Sequence, residues 1–155
     1  MPHRPLKQTA RQLETARAWV RTSCADVEDY DTDPITKLRV IDAFLQQVNP
    51  QDTWKLQALG VVLGDAMALQ YGLRWVEVED EFGTDPALFL GGAPGEEAYA
   101  FPLTMIAKRR QEGRDVDLQT LAILVDQVGR SAVQVQVQSA DAEPPQPARR
   151  RRWWR

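Results

Sequence analysis

The chain has one cysteine, Cys24, and one histidine, His3, among its 155 residues. A lone cysteine excludes an intramolecular disulfide and any multi-cysteine metal site. The single histidine lies in an N-terminal segment expected to fray. Its isolation removes Ser-His and Cys-His catalysis and any histidine-based zinc site. Cys24 is expected in a loop beside Asp26, Glu28 and Asp29, which would raise its pKa, so it reads as a structural or surface thiol. No run of about eighteen uncharged apolar residues occurs. The nearest stretch, residues 56–71, carries Gln57, Asp65 and Gln70 and reads as a core helix. The N-terminal MPHRPLKQTARQLETAR has no apolar signal-peptide centre, and the expectation is a cytoplasmic protein. There is no internal repeat.

What is present is ordinary for a soluble domain: 43% hydrophobic and 26% charged residues, enough to close one core. The charge is uneven. The net value is −3, yet residues 141–155 hold five arginines against Asp141 and Glu143, or +3, leaving −6 on the other 140 residues. An acidic body with a basic tip implies two different surfaces.

In chain order, residues 5–22 read as a first helix with Leu6, Leu13, Ala16 and Val20 on one face. Asp33-Pro34 opens a second helix as N-cap plus proline, and Asn49-Pro50 repeats the device for a third. The third helix carries a stripe of Leu56, Leu59, Leu63 and Met67, with Gly60 and Gly64 one turn apart. Helix-interior glycine costs about 1 kcal/mol against alanine, so the pair implies a neighbour packed very close. A nucleotide-binding reading is disfavoured, because no strand precedes the glycines and no Gly-Lys-Ser/Thr follows. Gly72 ends the helix.

From Leu73 the period becomes two, with Val76 and Val78 on one side and Trp75, Glu77 and Glu79 on the other. DEFGTD reads as the turn, Ala87–Leu90 as a second strand, GGAPGEE as a loop and Ala98–Phe101 as a third strand. Pro102 starts a helix that stops at Gly113, and Asp117 caps another from Leu118 to Val128. The alternating Ala132–Gln138 fits an edge strand or a continuation of that helix. The expected fold is α+β, a small antiparallel sheet of about three strands packed against four or five helices. Residues 1–130 form the domain, 131–148 a Val-Gln stretch and proline-rich linker, and 149–155 a basic-aromatic tail.

The central block resembles a family of bacterial domains of unknown function. The features that carry the resemblance are a Leu-Gly…Gly helix (Leu59, Gly60, Gly64, Gly72), a Trp-led strand with an acidic Asp-x-x-Gly turn (Trp75, Asp80, Gly83), and Pro-Leu-Thr-Met-Ile-x-Lys-Arg (Pro102 to Lys108-Arg109). It covers about residues 35–128. It implies a shared fold and no catalytic residue. Some members resemble small cytoplasmic proteins that accompany bacterial toxins, which implies an immunity-like role.

Three functional readings remain. The leading one is a non-enzymatic protein-binding domain with no cofactor and no metal, which neutralises a basic, toxin-like partner. Its contact surface would be the acidic hairpin of Glu77, Glu79, Asp80, Glu81 and Asp85, flanked by Lys108 and Arg109. The second is binding of nucleic acid or an anionic membrane surface through Arg149, Arg150, Arg151, Arg152, Trp153, Trp154 and Arg155, by phosphate contacts and indole stacking. The third is a metal-assisted carboxylate enzyme built on the same hairpin with Asp65, although the spacing fails the calcium-loop pattern. The plain alternative for the hairpin is a solvated acidic face on which Asp80 and Asp85 shape the turn.

Overall fold

The computed structural model describes residues 2–141. Its elements run β1 (His3–Pro5), α1 (Ala10–Cys24), α2 (Pro34–Leu45), α3 (Thr53–Tyr71), β2 (Arg74–Asp80), β3 (Gly83–Gly91), β4 (Ala98–Ala100), α4 (Pro102–Gln111) and α5 (Leu118–Asp141). The fold is α+β, with five helices and one antiparallel sheet of order β1-β2-β3-β4 among the described residues.

The sheet has one strand more than the sequence suggests. The expected frayed N-terminus supplies β1, whose His3, Arg4 and Pro5 pair with Val78, Glu77 and Val76. Three residues carry too little periodicity to announce a strand; the pairing comes from long-range bonds to Glu77. The first helix accordingly starts at Ala10, and Cys24 is its last residue, buried rather than in a loop. Burial pushes the Cys24 thiol pKa up.

β3 also begins four residues earlier than expected, at Gly83, because only Glu81 and Phe82 separate the paired Asp80 and Gly83. Pro86 is tolerated inside β3 because β4 ends opposite Leu88. At Pro86 the strand therefore has a neighbour only in β2, and the missing N–H is left on the open side.

Helix ends follow local chemistry. Asp33 caps α2 by accepting from the Ile35 amide at 3.1 Å, with Pro34 in the first turn. The cap of α3 is Asp52 rather than Asn49; Asn49 instead closes a short turn by accepting from the Gln51 amide at 2.8 Å. Gly72, at φ +66°, terminates α3 in the left-handed region. Asp117 accepts from the Thr120 amide at 2.8 Å at the head of α5. Val-Gln alternation notwithstanding, α5 continues through Ala132–Gln138. A helix satisfies its own backbone groups, whereas a strand here would need a free sheet edge. Ala132 is buried and Val135 approaches Gly91, while Val133 and Val137 face solvent.

α3 is the centre. It packs against all four other helices, and its residues are buried round the whole circumference rather than along one stripe, from Leu56 to Met67. An added Cβ on Gly60 would lie 2.6 Å from the Pro102 carbonyl oxygen and 2.7 Å from the Leu103 Cα. On Gly64 it would collide with the Trp75 ring. The two glycines thus admit the start of α4 and the Trp75 ring of β2, as the sequence requires. Among the described residues no helix is long and apolar enough to cross a membrane.

Candidate functional site

The hairpin carboxylates separate into buried and exposed groups. Glu77 lies on the helix-facing side of β2 and is 1% exposed, so it is not part of a contact surface. Its Oε2 accepts from the Lys7 amide at 2.9 Å, the Thr9 amide at 2.5 Å and the Thr9 hydroxyl at 2.9 Å; its Oε1 accepts from Arg4 Nε at 3.0 Å. Burial alone would raise its pKa. The Thr9 and Lys7 amides, the Arg4 guanidinium and the Thr9 hydroxyl outweigh that and pull it down to about 2. Glu77 therefore clamps the N-terminal segment to the sheet.

The rest of the hairpin is exposed. Glu79 pairs with Arg4 Nη1 at 3.0 Å. Asp80 accepts from the Phe82 amide at 2.8 Å and shapes the turn. Glu81 and Asp85 also face solvent. By strand alternation Glu79 stands on the helix-facing side and Asp85, opposite Val78, on the other. The carboxylates thus ring the hairpin end instead of converging on one point. At that end Phe82 is 88% exposed, the most exposed large apolar side chain of the described residues. Phe82 is not among the residues that charge or spacing singles out. Its signal was an aromatic placed inside the Asp80-x-x-Gly83 turn, where a side chain has nothing to pack on.

Asp65 is engaged by an arginine and an indole. Its two oxygens accept from Arg17 Nε and Nη2, both at 2.8 Å, and Oδ1 also accepts from the Trp75 indole N–H at 2.9 Å. This bidentate pair ties α1, α3 and β2 together. Among the described residues no three His, Cys, Asp or Glu side chains gather as a metal-binding group.

Lys108 and Arg109 lie in the last turn of α4, and no ion pair joins either to the hairpin among the described residues. They border a groove of about 410 Å³ between β4, α4 and α5. Lys37 and Tyr30 form a separate buried contact, with Nζ 4.2 Å from the ring centroid. Burial lowers the lysine pKa and raises that of the tyrosine. The tail candidates Arg149 to Arg155 fall outside the described residues.

With this geometry in hand, the relatives can be placed. The model of the domain of unknown function DUF3806 matches residues 37–121, more than half of the chain. The chain belongs to the DUF3806 family. The matched DUF3806 region spans most of α2 and runs through α3, the hairpin, β4 and α4, and so contains Asp65, the exposed carboxylates, Phe82 and the Lys108-Arg109 pair. β1 and α1 lie before it. No functionally curated protein matches the sequence. A crystal structure from Bacteroides thetaiotaomicron VPI-5482, at 1.50 Å resolution, is similar with a TM-score of 0.59 and 15% identity. The similarity covers 81% of this chain and 47% of that one, so this chain spans about half of that protein's length. At that identity the likeness concerns the fold.

Proposed function

We propose that this DUF3806 domain is a non-enzymatic protein-binding module that presents the β2–β3 hairpin tip to a basic partner. A toxin-like protein neutralised by the contact is the form this reading takes. The observation that carries it is Phe82, 88% exposed at the end of a two-residue turn. A phenylalanine held in water forgoes about 1.5–3 kcal/mol that burial would supply. The fold gains no packing from it, whereas a partner with an apolar pocket would. Aromatic side chains are enriched in the buried cores of interfaces.

Charge supports the same reading. Glu79, Asp80, Glu81 and Asp85 surround the aromatic tip and would steer a cationic surface toward it. The tip is also braced, since Asp80 accepts from the Phe82 amide and Glu79 pairs with Arg4. A preorganised contact loses less entropy on binding. The other carboxylates with dense bonding, Glu77 and Asp65, hold elements of the fold together.

The test is a pull-down from native lysate at low salt, with wild type, Phe82→Ser and a triple charge reversal at Glu79, Glu81 and Asp85. A partner retained by wild type, weakened by raised salt and lost with both variants supports the proposal. Recovery of no partner by wild type, or equal recovery by all three proteins, would count against it.

A further inference from the structure

The groove between β4, α4 and α5 joins an apolar lining to two cations. Leu90, Met105, Leu124 and Val128 supply an apolar lining, and Lys108 and Arg109 stand at its border. Its volume of about 410 Å³ falls within the range of small-molecule sites. The charged side chains of that lining are both cationic, with no carboxylate beside them. Arg4, Arg17, Arg21, Arg114 and Arg130 each meet a carboxylate. Lys108 and Arg109 meet none among the described residues, and Arg109 gives one Nη1 donor to the Met105 carbonyl at 2.9 Å. Their place in the last turn of α4 suits basic side chains, because the helix C-terminus carries partial negative charge. It does not use up their remaining donors.

We propose that this groove binds an amphipathic anion. The apolar body lies on the Leu90, Met105, Leu124 and Val128 surface, and a carboxylate or phosphate head is held by Lys108 and Arg109. Neither half suffices alone. Two partly exposed cations on an otherwise acidic body hold a bare anion weakly, and burial of an alkyl chain without its head leaves the cations unused. The site is separate from the hairpin tip and does not depend on it.

Calorimetry on the full chain, with octanoate and octyl phosphate as probes, tests this. Octanol and inorganic phosphate serve as the two half-ligands. At least one anionic octyl compound is expected to bind with a dissociation constant of about 1 mM or lower. Each half-ligand is expected to bind at least about tenfold more weakly, and the double variant K108Q/R109Q to weaken the anionic compound by about the same factor. Binding of only one of the two compounds identifies the head as carboxylate or phosphate. Amide resonances of Thr104 and Gln127, which line the groove, are expected to shift on titration. The proposal is overturned by no binding of either anionic compound, by octanol binding equally well, by unchanged affinity in a folded K108Q/R109Q, or by shifts confined to other elements.

Discussion

Replacing Gly60 by alanine tests whether α3 is central because its glycines admit other elements. In an isolated helix the change would gain about 1 kcal/mol of propensity. Here the new Cβ would lie 2.6 Å from the Pro102 carbonyl oxygen and 2.7 Å from the Leu103 Cα, where ordinary contact begins at 3.4 Å. Both obstacles are backbone, so the head of α4 must retreat by nearly an ångström. Overpacking of this kind typically costs about 1–3 kcal/mol, and a backbone clash belongs at the upper end. The net expectation is a loss of about 2 kcal/mol, or about 6–8 °C in Tm for a domain of this size. Urea and thermal unfolding, followed by circular dichroism and tryptophan fluorescence, would measure it. Gly64→Ala carries a further signature, because its Cβ meets the Trp75 ring, which also bonds to Asp65. Trp75→Phe withdraws that ring, so Gly64→Ala should cost less in the Trp75→Phe background than in wild type. A Gly60→Ala protein as stable as wild type, or more stable by the propensity gain, would refute the reasoning.

Three further outcomes follow from named contacts. Glu77 has a folded pKa of about 2 against an ordinary 4.5. Its stabilisation is therefore complete above about pH 4.5 and is lost as pH falls toward 2. Glu77→Gln should flatten acid unfolding within that window, and hydrogen exchange should show β1 opening early on acidification. Asp65→Ala removes a bidentate arginine pair and an indole bond and should destabilise by roughly 3 kcal/mol in urea titrations, since charge-assisted hydrogen bonds contribute about 1.5–3 kcal/mol. Phe82→Ser should change stability by no more than about 0.5 kcal/mol by the same assay, because the side chain packs on nothing.

How much of this was legible depends on how local each signal is. Asp33-Pro34, Gly72 and Asp117 act within a turn of themselves, and the structure uses each as the sequence implies. The Gly60-Gly64 pair declared a close neighbour but could not say which one. That neighbour is Pro102-Leu103 and Trp75, roughly forty and ten residues further along. Glu77 shows where local reading fails. In an acidic strand it looks like its neighbours Glu79 and Glu81, and only the return of residues 4–9 to its carboxylate makes it a buried clamp. β1 was invisible for the same reason, being defined by its partner rather than by its own three residues. Glu79, Asp80, Glu81 and Asp85 are exposed while Glu77 is not, and Phe82 carries neither charge nor period to mark it in the turn.

The most direct test of the hairpin-tip proposal is site-specific photo-crosslinking in the native cell, with a photoreactive phenylalanine analogue at position 82. Thr22, exposed on the surface of α1, serves as the control position. The account predicts a discrete crosslinked species from position 82, absent from position 22, containing a basic protein and diminished by charge reversal at Glu79, Glu81 and Asp85. No adduct at position 82, or the same adducts from both positions, would contradict it.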